Sequence, residues 1–130
     1  MILVLKTDAP IAEISFYDDK GNKIHHYSWD ADRKLARDLL QMLTELLATV
    51  SADFSSLKGV IVFKGPGSFT GLRIGITVAN TIAYGQSIPI VGATGDYWIA
   101  DGLNRLAKFE SDQIVLPHYG AEANISTPKK

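Results

Sequence analysis

The run Lys64-Gly65-Pro66-Gly67-Ser68-Phe69-Thr70-Gly71-Leu72-Arg73-Ile74-Gly75 constrains the fold of this chain more than any other stretch. It follows Val60-Ile61-Val62-Phe63, a short apolar run that reads as a buried strand. It leads into Ile76 to Tyr84, which reads as an apolar helix. A glycine-rich turn between strand and helix either aims backbone N–H groups at an anion or lets two backbones approach closely. The spelling narrows the choice. Gly65 to Gly71 lacks the Lys-Ser/Thr pair of the Walker loop, and its third glycine falls one residue too late for a dinucleotide fingerprint.

The 130 residues are enough for one domain with a core and too few for two, so residues 1–130 read as a single domain. Lys and Arg number 13 against 14 Asp and Glu, so no global field draws the chain to nucleic acid. Any role involving RNA is therefore expected to be indirect. The absence of cysteine removes disulfides, thiolate metal sites and a cysteine nucleophile. Met1-Ile2-Leu3-Val4-Leu5-Lys6 lacks a basic leader and a small-residue cleavage site, so it reads as a strand. No uninterrupted apolar run approaches the roughly 20 residues that span a bilayer, since the uncharged stretch 74–95 is broken by Asn80, Gln86, Ser87 and Pro89. A soluble, cytoplasmic protein with no membrane partner is the expectation.

Ile2–Leu5, Ala12–Tyr17 and Ile24–Trp29 read as three strands, the last two joined by the turn Asp18-Asp19-Lys20-Gly21-Asn22. Asp30 or Asp32 can cap a helix from Arg33 to Val50. Gly59–Phe63 is the fourth strand, and the second helix follows the glycine loop and ends at Gly85 as a C-cap. Ile88–Gly92 is a fifth strand, and Thr94 is a candidate cap for a third helix from Asp96 to about Phe109. Gln113–Leu116 reads as a last short strand, and 121–130 as a polar tail. The order β-β-β-α-β-α-β-α specifies an α/β fold, a mixed sheet with helices packed on it.

Both of the first two helices are more apolar than one sheet face requires. Leu35, Leu39, Met42, Leu46 and Val50 form one stripe of the first, and Ala36, Leu40, Leu43 and Leu47 form another. In the second, Gly71, Gly75, Ala79 and Ala83 recur every four residues and draw a ridge of small side chains. Each glycine inside a helix costs about 1 kcal/mol relative to alanine, so a close approach is expected in exchange. The excess apolar surface points to a helix-to-helix interface with another chain.

The glycine loop and its flanks resemble, nearly letter for letter, the GRGPGSFTGLRIG signature of the TsaB (YeaZ-like) family, and the resemblance extends from Met1 to about Asp101. It implies a half-domain of the actin-like, ribonuclease H-like group. It also implies a subunit without catalytic residues or metal that binds a TsaD-like partner for tRNA threonylcarbamoyladenosine synthesis. ATP and metal are then expected on the partner, with a TsaE-like ATPase completing the assembly and a homodimer forming in isolation. The family's pairing surface is built from the first two helices. The residues carried over to it are Leu39, Leu43, Leu46, Phe69, Gly71, Leu72, Arg73, Gly75, Val78 and Ala79. Gly75→Leu is accordingly expected to weaken assembly by overpacking.

Three departures qualify the resemblance. Family members open with a strand ending in Asp-Thr-Ser, where this chain has Lys6-Thr7-Asp8, and an ammonium there repels Mg²⁺. A His-Ser-Glu triplet that commonly opens the first helix is Leu35-Ala36-Arg37 here. The chain is also shorter than family members, which carry a second half-domain. Leu116-Pro117-His118-Tyr119 resembles their terminal Pro-x-Tyr-x-Arg run, with Ala121 at the arginine position, so the second half-domain is expected to be absent. The third helix should then expose apolar area around Trp98, with Pro117 and Tyr119 as candidates to cover it.

Other chemistry is sparse. His25 and His26 are adjacent on a strand and point to opposite faces, so they cannot share a metal. Ser68 lacks a nucleophile elbow. Arg73, joined by Lys64, is a candidate contact to a partner or to a phosphate at the helix start, and Phe69 a candidate plug. Two alternatives stay open: a phosphate-binding ATPase-like protein using Gly65, Gly67, Ser68 and Thr70, or a homodimeric interaction module.

Overall fold

Strand β1 (Ile2–Lys6) is apolar on both faces because it lies at the centre of a sheet covered on both sides. A computed structural model describes residues 1–119 and gives five strands in the order β3-β2-β1-β4-β5. β2 (Ile11–Tyr17) runs antiparallel to β1, and β3 (Lys23–Asp30) antiparallel to β2. β4 (Gly59–Phe63) and β5 (Ile90–Ala93) extend the other side in parallel. The expected α/β architecture is the observed one. Asp18 fixes the β2–β3 turn by accepting the N–H groups of Lys20 and Asn22 at 2.9 and 2.8 Å.

Helices α1 (Leu35–Thr49) and α2 (Phe69–Gln86) cover one face of the sheet, and α3 (Trp98–Ala107) covers the other. Period-2 alternation assigns the faces: Thr7 meets α2, while Ile61 meets α3 at Gly102. Leu3, Leu5, Ile14 and Phe16 are almost fully buried, and they form one cluster with Leu39, Leu43 and Leu47 of α1. Each fully buried leucine or phenylalanine contributes about 1.5–3 kcal/mol, so this layer dominates stability.

Several local expectations are corrected. A 3-10 turn, Asp32–Lys34, precedes α1, neither element has a side-chain cap, and Asp32 takes a φ of 44°. α2 runs past Gly85 and ends at Ser87, whose backbone is left-handed (φ 56°). α3 starts at Trp98 behind Tyr97 without a cap from Thr94. Trp98 is buried, because its ring meets Phe63 edge-on at 5.3 Å. Tyr119 does not cover it and stacks on Phe69 instead. The tail at 121–130 lies outside the described residues. No helix among the described residues is long and apolar enough to cross a membrane.

Residues 113–116 form no strand, yet the segment from Ser111 onward closes the β5 edge. Asp112 N–H donates to Ile90 O (2.7 Å), Ile90 N–H to Ser111 Oγ (3.2 Å), and Gly92 N–H to Asp112 Oδ2 (2.8 Å). Arg105 from α3 clamps the same carboxylate through Nη2 at 2.6 Å and holds Glu110 through Nε at 2.8 Å. Those hydrogen bonds, led by the one from Arg105, hold the Asp112 carboxyl below its ordinary value of 3.8. The depressed folded-state value means that the stabilisation is present above 3.8 and lost as pH falls through the folded value. The melting temperature of Asp112→Asn should therefore lie below wild type near neutral pH and converge with it in acid below 3.8. A gap that persists unchanged into that acid range would mean that packing, not charge, fastens the segment.

Candidate partner-binding face

The loop Lys64–Ser68 and the first turns of α2 press against the end of β1. A Cβ on Gly67 would strike Asp8, one on Gly71 the carbonyl of Thr7, and one on Gly75 the Thr7 side chain. Thr7 is fully buried, and its hydroxyl donates to Gly71 O at 2.7 Å. Gly65, at φ 119°, faces the carbonyl of His118, whose N–H donates to Lys64 O at 2.6 Å. The glycines serve close approach within the chain, which leaves the inner side of the loop filled at Gly65 and Gly67. Ser68 N–H is also committed, donating to Asp8 O at 2.8 Å, and Ser68 Oγ takes the cap position on Gly71 N–H. Of the four residues expected at an anion cradle, Gly65 and Gly67 face other segments of the chain, whereas Ser68 and Thr70 are exposed and line an open hollow.

Lys6 at the end of β1 donates to Asp8 Oδ1 at 2.6 Å and lies 4.8 Å from the centre of the Phe63 ring. Its charge is thus matched within the chain. Among the described residues, no three His, Asp or Glu side chains converge.

Of the ten residues expected at a partner surface, six are buried in this chain: Leu39, Leu43, Leu46, Leu72, Gly75 and Ala79. Their helical positions turn them toward the sheet, so in this chain they shape the core. Gly71 and Val78 are half-buried, Arg73 is exposed, and Phe69 is 55% exposed. Phe69 stacks on Tyr119 with ring centres 4.4 Å apart, and the Arg73 guanidinium stands 5.3 Å from its ring centre. Phe69 is therefore not a plug into the core. It is the middle of a surface stack.

The surface that remains outward is a different stripe. A groove of about 340 Å³ runs between α1 and α2, lined by Ala36, Thr70, Arg73, Ile74, Thr77 and Val78. The α2 members recur at i, i+3, i+4, i+7 and i+8, which is one helix face. Leu40, one turn after Ala36 on α1, is 54% exposed. A second hollow of about 340 Å³ adjoins the groove at its head and shares Thr70 and Ile74 with it. Pro10, Ala31, Asp32, Arg33 and Ser68 line it too. Arg37 beside the groove is neutralised by a two-point pair with Asp38 at 2.7 and 3.0 Å, which holds that carboxyl below its ordinary value.

A polar cluster on the opposite face escaped the sequence reading. Ser15 Oγ lies 2.7 Å from His26 Nδ1, and Glu13 Oε1 lies 3.8 Å from His26 Nε2, beside a hollow of about 110 Å³ near Trp98. Ser15 and His26 are cross-strand partners, and His25 pairs with Phe16 on the other face. The opposite orientation of the two histidines thus follows the pleat. Only the β2–β3 register, which the sequence does not state, brings serine and histidine together.

The family described as "TsaD: tRNA N6-adenosine threonylcarbamoyltransferase" matches residues 29–95, more than half of the chain. That span includes the loop and both helices of the groove. The chain is similar to the tRNA threonylcarbamoyladenosine biosynthesis protein TsaB of Buchnera aphidicola subsp. Acyrthosiphon pisum, at 29% identity over 91% of this chain and 52% of that protein. It is likewise 29% identical to Escherichia coli TsaB over 78% of this chain and 43% of that one. The structure of YeaZ from Pseudomonas aeruginosa superposes with a TM-score of 0.65 at 26% identity, over 72% of this chain and 43% of that chain. The chain thus spans about half the length of these relatives, or less. With loop, helices and sheet all accounted for, the chain belongs to this TsaD-type family, as a TsaB (YeaZ-like) member.

Proposed function

We propose that this chain is a non-catalytic subunit of tRNA threonylcarbamoyladenosine biosynthesis that binds a TsaD-like partner through the outward face of α1 and α2. The observation that carries this reading is the groove between the two helices. Apart from Arg73, its lining residues are small or β-branched, so a helix from another chain can approach closely, and Leu40 and Phe69 are exposed on the same two helices. Exposed apolar side chains around a helix-lined depression are the usual seat of a second helix. The names of the relatives support the process, and the family match supports a partner of the TsaD type. The role of this chain is to present a surface, and the transfer chemistry, with its ATP and metal, belongs to the partner.

The test is complex formation between this chain and the TsaD-like protein encoded in the same genome, followed by light scattering behind size exclusion. Ala36→Trp adds bulk to an exposed groove position while leaving the core untouched. Overpacking of this kind costs roughly 1–3 kcal/mol, so affinity should fall about 5- to 150-fold with an unchanged melting temperature. Wild-type affinity in Ala36→Trp would remove the groove from the interface. A wild-type chain that pairs only with itself would replace the reading by a homodimeric module.

A further inference from the structure

We infer that the partner seated on the α1–α2 face carries carboxylates opposite the head of the groove, so that association is electrostatically steered. The inference rests on the partner reading above and names the chemistry of its surface. The groove and the hollow at its head share Thr70 and Ile74, so they form one continuous trough. Arg33 lines the hollow at its head, Arg73 lines the groove next to the shared Thr70 and Ile74, and Asp32 is the one carboxylate in the lining. Lys34 follows on the same 3-10 turn and is exposed. Among the described residues, neither arginine nor Lys34 has a carboxylate within ion-pair distance, whereas Arg37 is matched by Asp38.

The placement runs against helix electrostatics. The start of a helix carries partial positive charge and favours anionic side chains, yet Arg33 and Lys34 stand immediately before α1. Arg73 follows one turn into α2, whose start opens on the same trough. Both helix starts therefore add to the arginine charges, and no pairing within the described chain relieves them. The chain as a whole has a net charge of -1, so this is a local basic end on a weakly acidic molecule. An apolar trough with a basic head fits a helical protein surface that is apolar along its length and acidic at one end. The Phe69–Tyr119 stack holds Arg73 over a ring and keeps its charge at the rim.

The experiment measures association and dissociation rates with the same TsaD-like protein across a salt series. Arg33→Glu/Arg73→Glu is compared with wild type and with the charge-preserving Arg33→Lys/Arg73→Lys. All side chains changed are exposed, so equal melting temperatures serve as the folding control. The expected result is an association rate about tenfold lower for the glutamate variant at low salt, with the gap closing toward 1 M salt and the lysine variant near wild type. Dissociation should change little. A wild-type association rate that ignores salt, or a glutamate variant that associates as fast as wild type, overturns the inference while leaving the partner reading intact. A chain that forms no complex at all overturns the partner reading and this inference together. If the chain alone binds tRNA, and the glutamate variant loses that binding with unchanged association to the TsaD-like protein, the basic head serves RNA and the inference is wrong.

Discussion

Gly75→Leu is expected to cripple folding before it can report on any partner. The Cβ it adds would meet Oγ1, Cβ and Cγ2 of Thr7, and Thr7 is fully buried between β1 and α2. The helix would have to lift off the strand, which also pulls Gly71 O away from the Thr7 hydroxyl that donates to it at 2.7 Å. Overpacking costs roughly 1–3 kcal/mol, and a buried hydroxyl left unsatisfied adds about 1–3 kcal/mol. Against a typical total stability of about 5–15 kcal/mol, that is a large fraction. The denaturation midpoint should drop sharply for Gly75→Leu and partly for Gly75→Ala. Thr7→Ala should recover some of the Gly75→Ala loss, because the two side chains compete for one space. If Gly75→Ala is as stable as wild type, α2 stands off β1 far enough to admit a methyl group, and close packing on Thr7 is not what requires glycine here.

Leu43→Ala carries the second large effect. Leu43 has no exposed surface, and it joins Leu39 and Leu47 under the sheet layer of Leu5, Ile14 and Phe16. A buried Leu→Ala change leaves a cavity and costs about 2–5 kcal/mol. Measured in conditions where the variant remains folded, its affinity for the TsaD-like protein should match wild type, because the side chain faces inward. Ala36→Trp should show the reverse, with unchanged stability and weakened binding. Loss of affinity in folded Leu43→Ala, at wild-type melting behaviour, would return this leucine to the partner surface.

The sequence carried the architecture well and the orientation of the helices poorly. Apolar runs such as Ile2–Leu5 and Gly59–Phe63 announce central strands, because a strand buried on both faces needs no alternation. The four-residue spacing of Gly71, Gly75, Ala79 and Ala83 correctly announced a close approach, but spacing does not say what approaches. The neighbour is Thr7 of the same chain. The outward stripe of Thr70, Arg73, Ile74, Thr77 and Val78 was equally legible as a period, yet its threonines look like ordinary surface and draw no attention. Leu40 lies in the second stripe of α1 and, with Ala36, stays exposed while Leu43 and Leu47 of that stripe are buried. The caps expected at Asp32 and Thr94 do not form and α2 ends at Ser87 instead of Gly85, because backbone geometry at each helix end, which residue type alone does not state, decides the cap. The pairing of Ser15 with His26 depends on register alone, as does the closure of the β5 edge by Ser111 and Asp112 on tertiary contact.

That closure gives the sheet two unlike ends. At β5 the outward N–H and C=O of Ile90 and the N–H of Gly92 already have partners, and Arg105 Nη1 reaches Gly92 O at 3.5 Å. At β3, among the described residues, no strand lies beyond Lys23–Asp30, and Ile24 and Tyr27 are exposed there. An unpaired strand edge is a template for another strand, whereas a satisfied one is inert. Addition of a strand to this sheet, whether from a neighbour or from a misfolded copy, can therefore proceed from one side only. Among the described residues the sheet has an open end and a sealed end, and the seal rests on Ser111 and Asp112, with Asp112 braced by the Arg105 guanidinium.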